Sequence, residues 1–323
     1  MSNVGRHSVD IVFLDQNKWI ELARVEAGKV TSGPIATLYL QLATAVEEHR
    51  VLFPLAVSHI LETSKRNDPV SRGWVAETQA KLSRGYVYRS RTGRLLVEMR
   101  TTLQRLLGAR APDLPKNWAI AHGFMQAFEP MDTLIATASE AERTSRLNRL
   151  VDPRDQYVDY MKNQDDSRRR AAHVKLSMDT SELVARIEAR RALLTGDSVD
   201  LRRRAYSARL FLDHQDDMIK VLHGLGHTFE QLRALGDNAA ITLIEDVPTL
   251  NVEAEMAARL EAQTGDIRPN DVFDMQSFYT AIPYSTRIVA EKGSISRARQ
   301  AKLDVRYQVS LSQSLPDLLD VYL

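Results

Sequence analysis

Two short β-branched, apolar runs near the N-terminus constrain this chain most, because each breaks off into helix-forming sequence with an acid close behind. Val9-Asp10-Ile11-Val12-Phe13-Leu14 stops at Asp15. Val51-Leu52-Phe53-Pro54-Leu55-Ala56-Val57 is followed by Ser58, read as a helix N-cap, and by Glu62 in the first turn of that helix. Between the two runs, Trp19, Ile20, Leu22 and Ala23, and then Leu38, Leu42, Ala45, Val46 and His49, recur near the helical period. Strand, helices, strand, helix opens a parallel sheet, since parallel strands need crossovers that also cover the faces.

The chain has 323 residues, enough for two domains or for one with a large insertion. With 14 glycines and 11 prolines it is poor in turn formers, which favours long helices. Residues 68–238 show helical patterns at 95–107, 118–128, 134–150, 178–194 and 201–235 and almost no strand signal. They read as an all-helical insertion between a first part, 1–67, and a second part, 239–323, of one α/β domain. In the second part, 240–244 reads as a strand or connector, 252–264 and 271–281 as helices, and 287–290 and 309–311 as closing strands.

There is no cysteine, which removes disulfides, thiol nucleophiles and thiolate zinc sites, so any metal must be held by oxygen or imidazole. No apolar run reaches the length of a bilayer span and the first ten residues have no signal-peptide pattern; the expectation is a cytoplasmic chain with no membrane partner. The net charge is +1, so attraction to nucleic acid would have to come from local patches.

Five acids occupy informative places: Asp15 after the first strand, Glu62 after the second, Asp271 and Asp274 opening a late helix, and Glu291 after a late strand. Ends of parallel strands share one edge of the sheet, so groups more than 200 residues apart can meet there. Like charges brought together oppose folding unless a cation lies among them, and Mg²⁺, an oxygen-seeking ion that keeps several waters, suits such a place. Four of the five also have a structural reading: Asp15 as a helix cap, Glu62 as a partner of its helix dipole, Asp271 as the N-cap after Pro269-Asn270, and Glu291 with Lys292 as a solvated turn pair; Asp274 is harder to read so, since a second acid in that turn adds little capping.

The segments 12–23, 57–62 and 270–276, together with Ala281-Ile282-Pro283-Tyr284 and Ile288-Val289-Ala290-Glu291-Lys292, resemble the PIN-like domains, metal-dependent nucleases that include toxin-type ribonucleases. The resemblance covers roughly the first 65 and last 60 residues. It implies a three-layer α/β/α fold around a central parallel sheet and an acidic pocket that binds Mg²⁺ or Mn²⁺ and hydrolyses RNA. Carried over by position, it implies catalytic roles for Asp15, Glu62, Asp274 or Asp271, and metal ligation by Asp15, Glu62, Asp274 and Glu291, the last standing where an aspartate is more usual. Asn17 lies beside the first motif. Ser285 occupies a place where related sequences tend to carry an acid.

From residue 285 to 309 there are six Lys and Arg against two Asp and Glu, so Arg287, Lys292 and Arg297, with Asn17, are the expected holders of a substrate backbone. From 161 to 210 there are twelve basic against seven acidic residues, including Arg168-Arg169-Arg170 and Arg202-Arg203-Arg204, either a phosphate-binding face or a solvated helix. No P-loop motif occurs, and His223-Gly-Leu-Gly-His227 lacks both a Rossmann fingerprint and a metalloprotease glutamate. The leading expectation is an endoribonuclease whose insertion selects substrate, meets an inhibitor or assembly partner, or joins copies of the chain. The alternative is a catalytically silent PIN-like fold that binds RNA or protein.

Overall fold

A computed structural model of the chain describes residues 9–111, 113–129, 151–163 and 165–322. The protein is mixed α/β and mostly helical. The first strand, β1 (Asp10–Leu14), leads into α1 (Gln16–Glu26), α2 (Pro34–Glu47) and β2 (Val51–Leu52). Then follow α3 (Val57–Ser64), α4 (Pro69–Ser83), β3 (Tyr86–Tyr88), α5 (Arg91–Leu106) and β4 (Ile120–His122). After a run of helices, β5 (Arg287–Val289) and β6 (Ser310–Ser312) complete the strands.

Four strands form a parallel sheet in the order β2-β1-β5-β6, with Asp10 opposite Val51 and Phe13 opposite Ile288. The second strand is shorter than its apolar run because Pro54 has no N–H to give to a ladder. Pairing resumes one residue later: the Leu55 N–H donates to the Tyr86 carbonyl at 3.0 Å and the Tyr88 N–H to the Leu55 carbonyl at 2.9 Å. Residues 86–88 therefore run parallel to the chain leaving β2, and β4 pairs antiparallel on their far side.

Alternation along β1 sends Ile11 and Phe13 into one hydrophobic cluster and Val12 and Leu14 into another, so both faces of this strand are covered. The first cluster also takes in Ile187, Tyr206, Leu210, Met218, Leu222 and Leu232, and the second Phe124, Tyr157 and Met161. Residues on both sides of the expected boundaries at 67/68 and 238/239 contribute to both clusters.

Several expectations need correction. Residues 240–244 are helical, inside Asp237–Asp246, and the expected helix at 118–128 is instead β4 followed by a 3₁₀ turn, Phe124–Ala127. In 240–244 the apolar residues satisfy a helical period as well as a strand's, and burial of Leu243 and Ile244 beside exposed Ile241 selects the helix. The segment 68–238 is not strand-free, since β3 and β4 lie in it. Ser58 is not the cap of α3, which starts at Val57 after Ala56. The helix expected at 134–150 lies outside the described residues. Among the described residues, no helix is long and apolar enough to cross a membrane.

Candidate metal centre

Asp15 ends β1 and caps α1, its Oδ1 accepting the Gln16 N–H at 2.8 Å. The backbone N–H of Asp15 donates to the Val289 carbonyl at 2.9 Å, which sets it beside the end of β5. Two residues beyond Val289 comes Glu291, the N-cap position of the helix Lys292–Gln300, and its side chain makes no capping bond. Its carboxylate instead accepts the side-chain amide of Asn17, in the first turn of α1. Glu291 is therefore tied to the first motif rather than standing as a solvated pair with Lys292.

Glu62 lies in the last turn of α3, not the first, so the helix dipole works against it and the structural reading fails. Asp274 lies in the second turn of the helix Pro269–Ala281, where its Oδ2 accepts the Ser294 hydroxyl at 3.0 Å. Asp271, at the third position of that helix, is engaged elsewhere: Oδ2 accepts the Arg268 N–H at 2.9 Å and Oδ1 faces the Arg297 guanidinium at 3.4 Å. The N-cap is Arg268, not Asp271.

The acids are close enough to perturb one another. Burial first, and then the charges of Asp15, Asp274 and Glu291, push the Glu62 carboxyl up to about 7 against the pull of Lys65. Burial, Asp15 and Glu291 push Asp274 to about 7 despite Ser294 and Arg297. Asp15 is raised by burial and by Glu291, with the Gln16 N–H opposing. Each of these groups would be easier to ionise with a cation nearby.

A buried polar network underlies the site. The Gln16 side chain donates to Thr63 Oγ1 at 3.1 Å, Thr63 donates to Gln79 Oε1 at 3.0 Å, and the Tyr157 hydroxyl donates to the same oxygen at 2.6 Å. Gln16 and Thr63 each adjoin an acid of the site, so the network fixes Asp15 and Glu62 through their neighbours. Ser58 and Ser277, whose hydroxyls lie 2.8 Å apart in the core, join α3 to the helix that carries Asp274. None of these residues stands out in the sequence as a motif; the available signal was polar side chains on otherwise apolar helix faces.

The expected substrate holders divide. Asn17 is at the site and Lys292 is exposed beside Glu291. Arg297 reaches Asp271, Gln263 and Ser294 and lowers the pKa of Asp274. Arg287 turns away: it pairs with Asp10 at 3.4 Å, at the start of β1 and hence the opposite edge of the sheet.

In the basic stretch at 161–210, Arg190 pairs with Glu261 at 2.8 Å, Arg203 with Glu245 at 3.1 Å and Arg204 with Asp200 at 3.1 Å, while Arg202 donates to the Leu194 carbonyl at 2.5 Å. Arg190 and Arg203 thus tie separate helices together, whereas Arg204 pairs with an acid of its own helix and Arg202 with the end of the preceding one. The side chains of Arg168, Arg169 and Arg170 lie outside the described residues. His227 faces Gln231 at 3.1 Å, a capping contact.

Among the described residues, no three His, Asp or Glu side chains converge tightly enough to cage a metal by themselves. Mg²⁺ does not ask for such a cage; it is commonly held by one or two carboxylates together with waters and substrate phosphate oxygens. An oxygen-only donor set of mutually destabilised carboxylates fits that ion. The chain has no match among protein-family models, curated proteins or solved structures.

Proposed function

We propose that the chain is a divalent-metal-dependent endoribonuclease with a PIN-like, three-layer α/β/α domain, acting in the cytoplasm on RNA. The observation that carries the reading is the coupling of Asp15, Glu62, Asp274 and Glu291, with Glu62 and Asp274 both raised to about 7. The parallel order β2-β1-β5-β6 and the coverage of both faces of β1 support the fold part of the reading.

Asp15 and Asp274 would hold Mg²⁺ or Mn²⁺, with Glu62 and Glu291 completing the negative field. A divalent ion bound there polarises a phosphodiester and lowers the pKa of a water in its coordination shell. The chain's own residues do the positioning: Ser294 fixes one oxygen of Asp274, Asn17 fixes Glu291, and the Gln16–Thr63–Gln79 network fixes the ends of α1 and α3. Glu62, whose carboxyl is pushed up to about 7 without an ion, would be drawn to its ionised form by a bound cation and so adds to the field that holds it.

The second reading, a silent PIN-like module that binds RNA or protein, is favoured by Ser285. Its hydroxyl is consumed internally, donating to the Ala281 carbonyl at 2.7 Å and lying 2.8 Å from the Tyr88 hydroxyl, and supplies nothing to the site. The deciding experiment is cleavage of labelled single-stranded RNA, structured RNA and DNA with Mg²⁺ and with Mn²⁺, alongside Asp15→Asn. Metal-dependent RNA cleavage that Asp15→Asn abolishes without unfolding supports the nuclease; equal activity in both proteins, or none with either metal, overturns it.

A further inference from the structure

A cavity of about 310 Å³ lies between α1, the chain that follows it, the chain just past α3, and α4. Its walls include Ile20, Arg24, Lys29, Arg66, Ser71 and Trp74. We propose that this cavity binds a nucleotide of single-stranded RNA flanking the scissile phosphate, with its base stacked on Trp74 and its phosphates held by Arg24, Lys29 and Arg66. The proposal rests on the nuclease reading for the identity of the strand, though not for the presence of a nucleotide site.

Helix geometry sets the cavity beside the acids. Asn17, which holds Glu291, is followed by Ile20 and Arg24 at positions i+3 and i+7, so the three share one face of α1. From Asn17 to Arg24 the helix axis rises about 10 Å, short enough for one strand to reach both. On the opposite wall, Arg66 follows Glu62 in the chain just past the end of α3, and Lys65 between them acts on the Glu62 charge. The packing of α1 against α4 closes the floor with Ala23 and Val75, both buried.

The walls hold cations and an aromatic ring and no acid. Among the described residues, Arg24, Lys29 and Arg66 make no ion pair. Arg24 and Lys29 are exposed, and Arg66 donates to Ser71 Oγ at 2.7 Å while its buried Nε has no hydrogen-bond partner. The acids nearest to them in sequence are engaged elsewhere. Glu21 pairs with Lys18 at 2.7 Å, Glu26 with Lys81 at 3.0 Å and with the Tyr39 hydroxyl, and Glu77 with Lys162. Asp68 accepts the Val70 and Ser71 N–H groups at 3.2 and 3.1 Å. Trp74 is half-buried, and Lys29 Nζ stands 4.1 Å from the centroid of its ring. An exposed cation–π contact is weaker than a base–aromatic stack, so an entering base displaces the flexible lysine from the ring and leaves its charge to meet a phosphate. Guanidiniums bind phosphate oxygens as forks, and a ring face takes any base, the combination that holds single strands without sequence preference. The volume stands at the low end of the range for organic ligands, which suits one base with its sugar and leaves the rest of the strand outside.

The test is fluorescence-anisotropy titration of the metal-free full chain with a short labelled single-stranded oligoribonucleotide and with an abasic strand of the same length. The proteins compared are wild type, Arg24→Gln/Lys29→Gln, Trp74→Leu and Trp74→Phe. Both residues of the double variant are exposed, so it keeps the fold whatever becomes of the tryptophan variants. Saturable binding in wild type is expected, weakened about tenfold or more in Arg24→Gln/Lys29→Gln, with the slope of log affinity against log salt reduced by about two. Trp74→Leu should weaken binding of the strand that carries bases and leave the abasic strand unchanged, and Trp74→Phe should restore most of the loss. Absence of saturable binding, binding unchanged in the folded double variant, or equal losses for both strands in Trp74→Leu overturns the proposal. Displacement of the RNA by a polyglutamate peptide as readily as by unlabelled RNA also overturns it, assigning the cavity to an acidic protein segment instead. The two ideas separate: a chain that binds RNA here without cutting it sinks the nuclease reading alone, and a nuclease indifferent to the double variant sinks the cavity alone.

Discussion

Two aspartates three residues apart on one helix, Asp271 and Asp274, hold opposite positions in the energetics of this protein. Asp271 satisfies a helix-end N–H and an arginine, whereas Asp274 is buried against other acids with one serine for support. Asp274→Asn is expected to abolish metal-dependent cleavage and to leave the fold intact. Asp271→Asn is expected to retain cleavage and to lose about 0.5 to 2 kcal/mol of stability, read from urea midpoints, because a capping interaction weakens. The same burial gives a pH signature. Glu62 and Asp274 have folded pKa values near 7, above their ordinary values of 4.5 and 3.8, so the stability they contribute is complete below about pH 4 and is lost as pH rises through 7. His59, fully buried and held near 3 against an ordinary 6.5, acts in reverse: its contribution is complete above 6.5 and is lost on acidification. Comparing the Glu62→Gln/Asp274→Asn double variant with wild type cancels the His59 contribution. Without metal, the double variant should gain stability relative to wild type, and gain more at pH 8 than at pH 5; an equal difference at both pH values would refute the coupling.

At the scale of elements, α1, α3 and α4 are joined beneath the acids by hydrogen bonds that no strand or helix ladder supplies. Thr63 both accepts from Gln16 and donates to Gln79, and all three are buried. Thr63→Val keeps shape but takes the acceptor from the Gln16 amide and leaves the Gln79 oxygen to the Tyr157 hydroxyl alone, which should cost about 1 to 3 kcal/mol and lower the cleavage rate by loosening Asp15 and Glu62. A variant as stable and active as wild type in denaturation and rate measurements would show that the network does not position the site. Elements also mark the limit of what periodicity can tell. β1 and its terminal acid were legible because a β-branched run halted at Asp15, and β5 because Arg287-Ile288-Val289 resumed that pattern. Tyr86-Val87-Tyr88 is too short to register as periodic, and its strand character depends on Leu55 pairing with it across the chain. Glu62 was placed in the wrong turn because α3 is only eight residues long, so that its last turn falls where a longer helix would still be near its start.

Across the whole molecule, one pattern in the sequence led to the acids and another concealed their support. Asp15 and Glu291 follow strands, Glu62 sits on the helix after β2, and Asp274 lies near the start of the helix that leads into β5; parallel topology brings such positions to one edge. Arg287 was misplaced because it begins a strand rather than ends one, which commits it to the other edge with Asp10. The middle of the chain, expected as a helical insertion, contributes residues to both hydrophobic clusters that β1 joins. The claim on which the account turns is that Asp15 and Asp274, within the negative field of Glu62 and Glu291, bind a divalent ion. Mn²⁺ binding to the metal-free chain near neutral pH, followed by the loss of its free-ion electron paramagnetic resonance signal, tests it in wild type and in the Asp15→Asn/Asp274→Asn variant. The account predicts saturable binding in wild type that the folded variant loses. Binding retained by that variant, or no binding in wild type at millimolar Mn²⁺, would contradict it.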